Sequence, residues 1–122
     1  MEMKFLRRER RSLKQQELSY RFAPEARVDY LSILDYIANT LVNPDAAEAF
    51  DKDLQKSIKL ARTFPEMYPV DIKIKYSYHK IVVGSYLAFY VVLENEIVIA
   101  RILNSRQEYK KILRKSQKSQ SL

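Results

Sequence analysis

The side chains able to do chemistry crowd into one part of this 122-residue chain. Lys73, Lys75, His79, Lys80, Arg101, Arg106 and Tyr109 all fall within or just beyond its most apolar stretch. Such groups can neutralise developing negative charge and pass protons. His79 is the only histidine and there is no cysteine, which excludes a disulfide frame and leaves too few ligands for a conventional zinc or iron site. An imidazole that titrates near neutrality suits an acid or a base, and equally a plain sheet-face residue. Lys73 and Lys75 alternate with Ile72 and Ile74, so a strand there puts both lysines on one face. From that face they can bind phosphate or guard an edge strand.

The net charge of +7 is unevenly spread. Residues 1–18 hold six basic and three acidic side chains, residues 107–122 hold five and one, and the 88 residues between hold eleven of each. Phosphate binding scales with local positive charge, so the two ends form the candidate polyanion surface. Basic tails also serve as solubilising extensions. No apolar run approaches the roughly 20 residues that cross a bilayer, and the N-terminus lacks the apolar core of a signal peptide. The expectation is a cytoplasmic protein of one domain, with no membrane, metal or cofactor.

Positioning these groups falls to the stretch from Tyr76 to Asn104, rich in Val, Ile, Tyr and Phe and punctuated at Gly84-Ser85 and Glu94-Asn95. It predicts strands over Tyr78–Val83, Tyr86–Leu93 and Glu96–Asn104, antiparallel because the turns between them are so short. Further strands are expected over Ile72–Tyr76 and Leu18–Phe22. Two helices lie between. Pro24 opens the first, whose predicted buried stripe is Val28, Leu31, Leu34, Ile37 and Leu41. Asn43-Pro44-Asp45 opens the second, with Val42 expected to staple onto Ala47 and with Ala47, Phe50, Leu54, Ile58 and Ala61 buried. Arg106–Lys115 reads as a short basic helix. The expected organisation is a basic extension over residues 1–17, a domain over 18–115 and a flexible tail over 116–122. The fold class is α+β: an N-terminal strand, an antiparallel helical hairpin, an antiparallel β-meander forming one sheet, and a short C-terminal helix.

Four segments in this order, YRFAPEARVDYLSILDYI, NPDAAEAFDKDL, YHKIVVGSYLAFYVV and IVIARILNSRQEYKKIL, resemble the RelE/ParE superfamily of bacterial toxins. These are the growth-arresting halves of type II toxin–antitoxin pairs. The resemblance spans about Leu18 to Leu113, and its last two segments are the most specific. It implies a compact toxin neutralised by a cognate antitoxin, expected to be acidic and encoded by a neighbouring gene. Two activities share the fold: RelE-like members enter the ribosomal A site and cut mRNA, whereas ParE-like members poison DNA gyrase and cut nothing. A shared fold cannot choose between them.

Metal-free RNA cleavage needs help for the attacking 2′-hydroxyl, for the phosphate oxygens and for the leaving group. For that chemistry the residues near the sheet and its exit offer Arg106, His79, Lys80 and Tyr109 as catalytic candidates, and Lys73, Lys75, Arg101, Lys110 and Lys111 as RNA contacts. Arg106 and Tyr109 match the positions where the family's last strand leaves the sheet with an arginine and then an aromatic. Each also has a plain reading, Arg106 as a solvated arginine at a helix start and Tyr109 as packing for the C-terminal helix. Two departures weaken the nuclease reading. Leu87 stands where RelE-type enzymes tend to carry an arginine, and Asn104 where some relatives have histidine. Loss of the central arginine removes transition-state stabilisation on the order of several kcal/mol. The sequence reading is a toxin that acts on translation by ribosome-dependent mRNA cleavage. Its alternatives are a ParE-like gyrase inhibitor and an inactive antitoxin-binding relative.

Overall fold

The chain's single glycine makes its sharpest reversal. Gly84 takes φ +60° between strands β3 (Ser77–Val83) and β4 (Tyr86–Leu93), a conformation that costs glycine nothing for want of a Cβ. A second tight turn at Glu94-Asn95 leads into β5 (Glu96–Asn104). In this computed structural model, which describes residues 17–122, β1 (Ser19–Phe22) and β2 (Val70–Lys73) complete a five-stranded sheet ordered β1-β5-β4-β3-β2. The meander is antiparallel as expected, and β1 joins β5 in parallel. Apart from Glu17, the expected basic extension lies outside the described residues.

β2 corrects the expectation of a strand over Ile72–Tyr76. Pairing with β3 sets its bounds, with Ile72 facing Tyr78 and Lys73 facing Ser77. Beyond Lys73 the backbone bends, and the Ile74 N–H donates to the Tyr76 carbonyl at 3.1 Å. Strand pairing overrides the local alternation here.

Helix α1 (Pro24–Asp35) runs on into a π-helical turn at Tyr36–Thr40, and α2 (Pro44–Thr63) folds back beside it. Asn43 caps α2, its side-chain oxygen accepting from the Ala46 N–H at 3.1 Å. All five residues of the expected α2 stripe are buried. The α1 stripe is different. Ala26, Ile33 and Ile37 are buried, with Tyr30 and Leu34 packed beside them, while Val28, Leu31 and Leu41 are 63%, 56% and 54% exposed. Residues 26, 30, 33 and 37 are also spaced by three and four, so two interlaced faces fit the same periodicity. The face that meets the sheet is the one carrying Ala26, which is fully buried. Val42 does not staple onto Ala47; it is 78% exposed, at φ +50°.

The helical hairpin covers one face of the sheet. Helix α3 (Tyr109–Ser119) covers the other, where Leu113 joins Ile72, Tyr78, Leu87, Phe89, Val91, Ala100 and Leu103 in a second apolar cluster. This helix starts three residues later and ends four residues later than expected. Residues 116–119, expected in the tail, continue α3; Ser116 and Gln120 are buried, and the Gln120 amide donates to the Ala100 carbonyl at 3.0 Å. Among the described residues, no helix is long and apolar enough to cross a membrane.

Candidate functional site

Lys80, Phe89 and Arg101 form a row across the sheet, Lys80 paired with Phe89 and Phe89 with Arg101 on β3, β4 and β5. Helix α3 lies over this row. Its first residue, Tyr109, stacks on Phe89 with ring centres 5.2 Å apart, and the Lys80 ammonium sits 5.7 Å from the Tyr109 ring centre. Two of the four catalytic candidates, Lys80 and Tyr109, therefore do come together.

Their charges are already matched. Lys80 Nζ is 3.0 Å from Asp71 Oδ1 on the neighbouring strand, with both side chains about three-quarters or more buried. Burial pushes the Asp71 carboxyl up, but the Lys80 ammonium, the Tyr109 hydroxyl and the Lys110 charge together outweigh it. The net result is a pKa below the ordinary aspartate value. The Asp71 hydrogen bond, opposed by burial, raises Lys80 above its ordinary value. Burial and then the Asp71 carboxylate raise Tyr109, which keeps its hydroxyl protonated.

A pH dependence follows from the depressed carboxyl. Asp71 should contribute its full stabilisation above the unfolded-state value of about 3.9, and lose it as the pH falls further through the folded-state value. The advantage of the wild-type chain over Asp71→Asn is thus expected to be constant from pH 7 to 5 and to shrink by pH 3. Urea midpoints at the three pH values measure it. An advantage that persists undiminished at pH 3 would contradict the depressed carboxyl.

Arg101 is held still more firmly. Its Nε and Nη2 donate to the two carboxylate oxygens of Asp29 on α1 at 2.7 and 3.0 Å, and its Nη1 donates to Ser116 Oγ on α3 at 2.7 Å. A bulge gives it this reach. Tyr90 pairs with Ile99 and Phe89 with Arg101, so Ala100 is the extra residue that bends β5. The guanidinium therefore ties α1, β5 and α3 together, and all three of its donor nitrogens are engaged within the protein.

The other candidates stand apart from this row. His79 lies on the opposite sheet face, 4% exposed, stacked on Tyr90 at 4.7 Å. Its Nδ1 lies 2.7 Å from the Tyr68 carbonyl, which can only accept, so Nδ1 carries the proton and donates. The Tyr90 hydroxyl donates to the Pro65 carbonyl at 2.7 Å, and the Lys80 N–H to the Pro69 carbonyl at 3.0 Å. Together these bonds pin the connection between α2 and β2. Arg106 is exposed in the turn before α3, where its backbone N–H donates to the Asn104 side chain at 2.9 Å. Lys73, Lys75, Lys110 and Lys111 are exposed, Lys75 over the Tyr76 ring at 5.5 Å and Lys111 3.3 Å from Glu108. Leu87 is buried in the cluster beneath α3.

Sequence reasoning missed Asp71, Asp29 and Ser116, the partners that engage the cations. The available signal was an acidic residue inside each of two apolar elements, where an unpaired charge would be costly.

A family model for the ParE toxin of the parDE type II toxin–antitoxin system matches residues 20–109, from β1 to the first residue of α3. Among solved structures, a chain of the chromosomal ParDE TA system from P. aeruginosa superposes with a TM-score of 0.60. It is 18% identical, over 73% of this chain and 97% of that chain, a likeness of fold. No curated protein matches. The order of strands around the helical hairpin and the family match over most of the chain agree, and the protein belongs to the ParE toxin family of type II toxin–antitoxin systems.

Proposed function

We propose that the protein arrests growth by binding, with DNA gyrase as its target, rather than by cutting mRNA. The observation that carries this reading is the sealed sheet face. Leu87, at the position where the resemblance expects an RNA-cutting enzyme's arginine, is packed beneath α3. Lys80 and Arg101 on the same face are committed to Asp71 and Asp29. Cleavage of a phosphodiester needs several donors aimed together at one phosphate. Here His79 is on the far face and Arg106 is out in the turn, which leaves Lys80 and Tyr109 without a third partner. A cytoplasmic location goes with this target.

The same reading includes a cognate antitoxin. Val28 and Leu31 on α1, with Tyr36, Leu41 and Val42 after it, are exposed large apolar residues on the helical hairpin. Covering them gives a partner its hydrophobic anchor. The chain's net charge of +7 favours an acidic one.

Purified protein should block ATP-dependent supercoiling of relaxed plasmid by gyrase, and leave mRNA intact in a reconstituted translation reaction. Ribosome-dependent cuts in the mRNA with supercoiling untouched would overturn the proposal and restore the nuclease reading.

A further inference from the structure

Helix α3 has two unlike faces. Tyr109, Ile112, Leu113 and Ser116 face the sheet, while Lys110, Lys111, Arg114, Lys115 and Lys118 are all exposed. At 3.6 residues per turn the five cations fall within one arc opposite the packed side. Lys110, Arg114 and Lys118 follow one another at four-residue steps, with Lys111 and Lys115 alongside. Among the described residues the only carboxylate paired with them is that of Glu108, on Lys111. Of the four cations on the strands three are matched instead, Lys80 by Asp71, Arg101 by Asp29 and Arg21 by Glu96, and Lys73 is exposed. Among the described residues the more buried cations Lys80 and Arg101 are thus neutralised, and five exposed cations stand together on one helix, which Arg101, Gln120 and the Tyr109–Phe89 stack anchor to the sheet.

We infer that the outer face of α3 docks on the sugar–phosphate backbone of duplex DNA. Lys110 to Lys118 spans about 12 Å of helix axis, a length over which a duplex presents about seven phosphates. The helix's one aromatic, Tyr109, is already stacked on Phe89 and lies at the edge of a shallow hollow lined also by Lys110, Lys111 and Arg114. Single-strand binders rely on several exposed aromatics along a groove that stack on successive bases, and this face offers only Tyr109, whose ring is occupied by Phe89. With lysines and one arginine reaching phosphates and nothing placed to read base edges, binding is independent of sequence. The family match ends at Tyr109, so these cations lie beyond it. The inference does not depend on gyrase as the target, and free DNA tests it alone.

The test is fluorescence anisotropy of the full chain with a labelled 20-base-pair duplex, titrated between 50 and 200 mM salt. Single-stranded DNA and single-stranded RNA of the same sequence serve as competing ligands. Removing four cations by Lys110→Gln, Arg114→Gln, Lys115→Gln and Lys118→Gln should flatten the slope of log K against log salt by about 3.6. Over that salt range the wild-type chain should therefore lose about 150-fold more affinity than the variant. A control variant carrying Arg27→Gln, Lys52→Gln, Lys56→Gln and Lys59→Gln on α1 and α2 should keep the wild-type slope. The two half-variants, Lys110→Gln with Arg114→Gln and Lys115→Gln with Lys118→Gln, should each lose about half as much. An unchanged slope in the α3 variants, tighter binding of either single strand than of the duplex, or no duplex binding at 50 mM salt would each overturn the inference.

Discussion

Asp29→Ala should cost about 3–5 kcal/mol of folding stability, because it strands a buried guanidinium. Asp29 and Arg101 are 14% and 16% exposed. The carboxylate does more than pair with Arg101: its Oδ2 also accepts the Ile102 N–H at 2.9 Å. Strand β1 stops pairing with β5 at Phe22 opposite Ile99, and Asp29 takes over as acceptor past that end. Removing it leaves a charge and a backbone donor without their partner in one change. A double variant carrying Asp29→Ala and Arg101→Met should recover part of the loss, since an apolar replacement for a buried pair is often neutral or better. Urea unfolding of the single and double variants gives the coupling directly. A loss under about 1 kcal/mol for Asp29→Ala would mean that the pair is solvated and does not hold α1 to β5.

How far the sequence reaches is visible in the same residues. Strands β3, β4 and β5 were legible because Val, Ile, Tyr and Phe dominate them and two strong turn signals divide them, and Gly84 does adopt the left-handed conformation that such a turn requires. The α2 stripe was legible because its apolar residues form one face and its other residues are polar. On α1 large apolar residues lie on both sides, and periodicity alone cannot say which side meets the sheet. The stripe expected to be buried includes Val28, Leu31 and Leu41, which are exposed and belong to the surface proposed above for the antitoxin. The candidate cations were legible as types but not as a site. Lys80 and Asp71 are nine residues apart and Arg101 and Asp29 seventy-two, and only the folded sheet shows that these carboxylates hold them. The alternation of strand side chains did carry information that spacing in sequence hides: adjacent His79 and Lys80 lie on opposite faces.

The division of charge between the sheet and α3 also bears on how the toxin can act. A cation fixed by a buried carboxylate is poorly placed to seize a new phosphate, because breaking the pair leaves the carboxylate uncompensated. Exposed cations give up only hydration and released counterions, which makes them suited to reversible, salt-sensitive docking. On this basis the interior row of Lys80, Phe89 and Arg101 is a structural spine, and the surfaces we propose for other molecules are the outer side of α3 and the apolar strip on the helical hairpin.

Docking through α3 requires the helix to be a fixed part of the domain, which Leu113→Ala tests. Leu113 is fully buried, in one cluster with Leu87, Phe89 and Leu103. Truncating it in a site that cannot fully collapse should cost about 2–5 kcal/mol, whereas Arg114→Gln on the exposed side of the same helix should stay within about 0.5 kcal/mol. Urea unfolding followed by circular dichroism measures both. If α3 were a loosely attached basic tail, neither change would move the midpoint, because the unfolding unit would be the sheet and hairpin alone. A large effect confined to Leu113 would instead place α3 inside the cooperative unit. The five cations would then be held at one orientation to the sheet, and their docking would not have to offset the entropy of ordering a free helix.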